Sequence, residues 1–290
     1  MNGVMKLLLS AVSLVAAAAL GAAIAANAFD YELYGNLRLQ GMDFDPVSEY
    51  VDPTMTTSLS RSASRVGSLA GNAAEARWTA DLALGSLSGY AHGSNAFADG
   101  LGWRWANGDL QVWMKDTLTL QLPAGAYPQG ASVGLSGVVN GSLHSLGVDL
   151  YADATVHWKI ELQRLDDYGS DSVEDSRQAA NGQVVGVAEP FAPAFQVLSP
   201  GASLATPKSV TFRFLAQLQV ITDTYDSLAD QHLEETADFE DTLQITSVDA
   251  PPGTIWTSAS GVFLPEPAAA AQAAAAGIAL ATLAPRRRRR

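Results

Sequence analysis

Apolar and polar residues alternate one for one along most of the central chain, which is the period of a strand with one buried face. Ala76, Trp78, Ala80, Leu82 and Leu84 alternate with Arg77, Thr79, Asp81 and Ala83, and Gly85 ends the run. Over 148–162 the alternation is unbroken: Val148, Leu150, Ala152, Ala154, Val156, Trp158, Ile160 and Leu162 share one face. Asp149, Tyr151, Asp153, Thr155, His157, Lys159, Glu161 and Gln163 take the other. Val210, Phe212, Phe214, Ala216, Leu218 and Val220 give a third clear strand. Further strands are predicted over 31–40, 131–139, 183–187, 191–197 and 243–248. Asn107-Gly108, set between two strand-like runs, predicts a type I′ hairpin. That register pairs Trp105 with Leu110 and Trp103 with Val112. Both tryptophans then join Leu110, Val112, Met114, Leu118, Leu120 and Leu122 in the core, leaving Arg104, Gln111 and Trp113 on the polar face. A Pro-, Asp- and Thr-containing loop is expected after residue 40, an irregular stretch over 58–71 and a polar acidic loop over 166–181. Asn140-Gly141 is expected to end a strand, and 223–237 to be an acidic connection. No segment has the pattern of a long amphipathic helix. The expected fold class is therefore all-β, an antiparallel β-sandwich of jelly-roll-like or Ig-like type.

The two ends of the chain follow different rules. Lys6 precedes an apolar run over 7–26 that closes on Ala26-Asn27-Ala28, the charge, core and small-x-small site of a secretory signal peptide cut after Ala28. At the other end stand Leu264, Pro265, Glu266 and Pro267, then seventeen almost wholly apolar residues over 268–284, Pro285, and Arg286, Arg287, Arg288, Arg289 and Arg290. Five adjacent arginines stay on the cytoplasmic side of a bilayer, so the apolar run reads as a membrane-inserting helix with a cationic stop. The expected organisation is a signal peptide over 1–28, an extracellular domain over 29–260 and a sorting tail over 261–290.

This tail resembles the PEP-CTERM sorting signal of exported proteins of Gram-negative bacteria. The stretches 80–87, 113–120 and 238–261 are similar to the extracellular domains that carry it. The resemblance implies that Pro265, Glu266 and Pro267 are read by a membrane protease-transpeptidase, the exosortase, which removes the tail. It also implies delivery to the cell surface or extracellular matrix, in association with exopolysaccharide or biofilm, after transient residence in the inner membrane.

Composition narrows the partners. Setting aside Lys6, the five terminal arginines and Glu266 leaves 11 basic and 29 acidic residues, a net charge near −18. That argues against nucleic acid and anionic membrane surfaces. There is no cysteine, hence neither disulfide nor thiol chemistry. His92, His144, His157 and His232 form no close ligand motif, and there is no nucleophile elbow or phosphate loop. Asp166, Asp167, Asp171, Glu174 and Asp175 gather five carboxylates in one predicted loop, oxygen ligands that suit Ca²⁺, but without the spacing of an EF-hand; a solvated acidic loop is the plainer reading, and no cofactor is expected. The sequence thus points to a non-enzymatic surface protein. The alternatives are a carbohydrate-binding module with Trp113 and Tyr151 as outward aromatics, and a secreted hydrolase with paired carboxylates.

Overall fold

The computed structural model describes residues 31–68, 71–95, 104–146, 152–166, 169–226 and 233–263. Among them are sixteen strands and no helix. They are β1 (Glu32–Gly41), β2 (Val47–Thr54), β3 (Ser58–Val66), β4 (Ala73–Asp81), β5 (Ser86–Asn95), β6 (Arg104–Leu122), β7 (Gly125–Tyr127) and β8 (Ala131–Leu146). Then come β9 (Ala152–Arg164), β10 (Ser170–Ala180), β11 (Val184–Phe191), β12 (Ala194–Leu198), β13 (Ala202–Leu204), β14 (Lys208–Asp226), β15 (Leu233–Asp249) and β16 (Ile255–Ser258).

Two seven-stranded antiparallel sheets form the body. The first has the order β10-β9-β14-β6-β1-β2 with β16 added to β6, and the second β11-β8-β15-β5-β4-β3 with β12 added to β8. Some chain neighbours are hairpin partners within one sheet, as β1 with β2, β3 with β4 and β9 with β10, while β5 with β6, β8 with β9 and β14 with β15 sit in opposite sheets and touch across the core. The alternation explains why these segments pair: Val156, Trp158, Ile160 and Leu162 of β9, Phe212 and Phe214 of β14, and Leu118, Leu120 and Leu122 of β6 all turn into one buried cluster. Aligned sheets of this kind pack about 10 Å apart, with the inward residues of both interdigitated.

Several expectations are corrected. Asn107-Gly108 is not a turn: β6 runs straight through it, pairing Asn107 with Gln40 and Gly108 with Leu39. Gly108 lies on the inner face, where a Cβ would come within 2.8 Å of the Glu75 carbonyl oxygen. The glycine therefore serves close approach of the two sheets instead of positive φ. A continuous strand also reverses the face of Trp105, which shares the outer side with Trp113; Trp103 lies outside the described residues. Among the described residues the core tryptophans are Trp78 and Trp158. Asn140-Gly141 likewise lies inside β8, where Gly141 leaves room for the Phe239 ring. The loop expected after residue 40 contains β2, the irregular stretch holds β3, and the acidic loop is mostly β10. The connection expected over 223–237 is shortened from both sides by β14 and β15.

Those three unexpected strands are edge strands, where little surface is buried and the polar–apolar contrast is weak. Their inward positions carry charge, a device that discourages edge-to-edge aggregation. On β10 these are Asp171, Asp175 and Arg177, and on β3 Arg61 and Arg65, as the registers with β9 and β4 require.

Candidate functional site

Three places in the fold carry polar chemistry. The first is where the chain leaves the domain. β6 turns Leu110, Val112, Met114, Leu118 and Leu120 inward, and the same parity puts Asp116 inside, with no exposed surface. Its carboxylate accepts from the Ser260 hydroxyl at 2.5 Å, the Ser260 N–H at 3.2 Å and the Thr117 N–H at 2.7 Å. Burial pushes the Asp116 carboxyl up to about 6 against the pull of these bonds. Three residues on, Phe263 is 1% exposed, 4.9 Å from the Phe214 ring and 6.2 Å from Trp256. Short β16, paired to β6, delivers this segment. Residues 261–263 thus pack as part of the domain. Ala26, Ala28, Pro265, Glu266, Pro267 and Arg286 to Arg290 lie outside the described residues.

The second place is the opposite end of the core. There Glu235 of β15 is fully buried between Gly93 and Ser145 in register. Its Oε1 accepts from the Ser145 hydroxyl at 2.9 Å, and its Oε2 has no partner. Burial, with Asp153, Asp223 and Glu234 adding to it, pushes this carboxyl up to about 8. Asn95, Thr222 and Thr224 are buried at the same end. Asp116 and Glu235 therefore stand at opposite ends, and they form no acid pair of the sort glycoside hydrolysis uses.

The third is the outer face of the first sheet. Trp113 stacks on Tyr34 of β1 with ring centres 4.8 Å apart and planes 12° from parallel. Tyr34 is the aromatic partner that sequence reasoning missed, because only the β1–β6 register brings it opposite Trp113. Tyr151 lies outside the described residues. The next row of the face runs Tyr50, Asn36, Gln111, Gln219 and His157 across five strands. As expected, Asp153 and Glu161 share the face of His157, which contacts Glu174 at 3.3 Å.

The proposed calcium cluster is dispersed by the strand it sits on. Asp171 and Asp175 point to the inner side of β10 and Glu174 to the outer side, while Asp166 lies beyond the strand. Each is also engaged: Asp166 with Arg164 at 2.7 Å, Asp171 with the Ala194 N–H at 2.9 Å, and Asp175 with Arg177 at 2.6 Å. Arg164 and Arg177 hold the Asp166 and Asp175 carboxyls below the usual range. Asp167 lies outside the described residues. No family model matches the chain, and no curated protein matches it.

Proposed function

We propose that this chain is an exported, non-enzymatic surface or matrix protein, sorted by its C-terminal Pro265-Glu266-Pro267 motif. The observation that carries the reading is one of order: motif, apolar run and arginine cluster follow directly on Phe263, the last described residue of an all-β domain. In this reading residues 1–28 are a signal peptide, 268–284 a transmembrane helix held by Arg286 to Arg290, and the exosortase the processing partner. The product goes to the cell surface or to an exopolysaccharide or biofilm matrix. Substituting all three motif residues by alanine should leave a membrane-held precursor, longer by mass spectrometry than the processed wild type. Identical processing of the two would sink the reading.

The sandwich is of the jelly-roll-like type in this proposal, a reading supported by the chain's repeated crossings between the sheets at β5–β6, β8–β9 and β14–β15. A second reading, a carbohydrate-binding module, is favoured by the Tyr34–Trp113 stack on an open sheet face.

A further inference from the structure

Sheet pairing lays three amides side by side on the outer face of the first sheet. Asn36 of β1 faces Gln111 of β6, and Gln111 faces Gln219 of β14. At about 4.8 Å between neighbouring strands, these make a lane roughly 10 Å long. Gln217, opposite Trp113, borders it. The Tyr34–Trp113 stack forms one wall, and Tyr50, 61% exposed, stands at one end opposite Asn36. Among the described residues, Asn36, Gln111 and Gln217 make no side-chain hydrogen bond, although all three lie on strands paired on both sides.

The charges around the lane neutralise one another. Lys115 meets Glu32 at 2.9 Å, Lys159 meets Glu161 at 2.9 Å, and Arg38 stands opposite Asp109 in register. Burial raises the Asp109 carboxyl above its ordinary range, and its bond with Gln219 and the charge of Arg38 oppose that shift. A chain with a formal net charge of −13 thus has its charges matched in pairs immediately around the lane. Its field disfavours a polyanion anywhere on the surface. An amide offers both a donor and an acceptor, and so does a hydroxyl. Three amides without side-chain bonds, Asn36, Gln111 and Gln217, grouped beside an aromatic wall therefore match a ligand that is uncharged, hydroxyl-rich and faced with C–H groups.

We propose that this lane binds a neutral polysaccharide chain, its hydroxyls on Asn36, Gln111 and Gln217 and a sugar face against the Tyr34–Trp113 wall. The inference rests on the matrix-associated reading above and names the class of polymer.

The test is native affinity electrophoresis of the full chain in detergent, with a soluble neutral glucan (hydroxyethyl cellulose) or an anionic polyuronate (alginate) in the gel. The glucan should slow the wild type and the polyuronate should not. Gln111→Ala with Gln217→Ala should weaken the glucan effect about tenfold, a factor equal to roughly 1.4 kcal/mol. Trp113→Ala should weaken it further, and Thr79→Ala on the other sheet should leave it unchanged. The double amide variant alters only side chains on an open face, so it tests the lane even if Trp113→Ala fails to fold. Equal retardation of wild type and double variant, no retardation by the glucan, or retardation by the polyuronate alone would overturn the proposal. So would a wild-type dimer that the double variant abolishes, which would make a second copy the occupant. Precursor processing, followed by mass spectrometry in the same variants, should remain normal; its failure in wild type would count against the sorting reading and leave the binding result standing.

Discussion

The two ends of the core solve the same packing problem with opposite materials. At the exit end Phe212, Phe214, Phe263, Leu82, Leu120 and Leu122 fill the space between the sheets, and one carboxylate, Asp116, is satisfied by three hydrogen bonds. At the far end Gly93, Gly108, Ala106 and Ala152 bring the backbones close together. The remaining gaps are filled by Thr222, Thr224, Asn95 and Glu235. The β6–β14 ladder is interrupted there between Thr222 and Tyr225. Side chains stand in: the Thr224 hydroxyl donates to the Ala106 carbonyl at 2.6 Å, and the Asn107 amide oxygen accepts from the Thr224 N–H at 3.2 Å. The difference teaches that apolar area carries the stability of one end, while the other depends on hydrogen bonds and on a protonation state.

The sharpest way to break this contrast is to delete bulk. Phe214→Ala at the exit end should cost about 3–5 kcal/mol, the usual range for a buried aromatic. Urea melts should show it as a large fall in midpoint at unchanged slope. If Phe214→Ala cost no more than a surface change, the exit end would not be the anchor described here.

A second, smaller effect is a pH dependence centred on the far end. Glu235 has a folded-state pKa of about 8, above its ordinary 4.5. The folded state therefore binds this proton more tightly than the unfolded chain, so stability from this group is fully present below about pH 4.5. It is lost as pH rises through about 8. Glu235→Gln should flatten the fall in melting temperature between about pH 5 and 8 and raise stability by a few kcal/mol above it, since each pKa unit corresponds to about 1.4 kcal/mol. Parallel profiles for wild type and variant would remove Glu235 from the account. Asp116 contributes a lesser slope of the same sign between about pH 4 and 6.

The smallest change expected is at Thr224. Thr224→Val keeps the shape and removes the hydroxyl, leaving the Ala106 N–H, bonded to it at 3.0 Å, without that partner. The cost should be about 1–3 kcal/mol, read as a shifted midpoint together with faster amide exchange at Ala106. Unchanged exchange there would mean that the ladder is closed by other means.

Much of this fold was legible in the sequence, and the failures share a cause. The strand around Trp158 was readable because every second residue is apolar and both neighbours in its sheet bury it. β2, β3 and β10 were not, because an edge strand has one neighbour and carries charge even on its inward side. Both Asn-Gly pairs misled for a different reason. The dipeptide marks a place where a side chain is absent, and a turn and a close approach of a neighbouring strand or sheet use that absence equally well. Only the tertiary partners of Gly108 and Gly141, Glu75 in one case and Phe239 in the other, separate the two uses. On the outer face, Trp113 could be placed from its parity with Gln111, whereas Tyr34 needed the register. Asp116 left a usable signal: an acid at an inward position between Met114 and Leu118 is a buried carboxylate awaiting a partner.

The exit pin has a mechanical consequence. Only Leu264 separates Phe263 from Pro265, so the Cα of Pro265 lies within about 7 Å of that of Phe263 even in a fully extended chain. Any pull on the tail is thus transmitted at once to Phe263, then to the Ser260–Asp116 bonds and the four-residue β16. From there it enters β6, which lies between β14 and β1 and is the longest strand of the first sheet together with β14. Force is delivered to the best-supported strand of the domain through its weakest attachment. Under load on the C-terminal side the segment 255–263 should peel away as a fuse, freeing roughly 30 Å of chain at about 3.4 Å per residue, while the body of the sandwich stays intact.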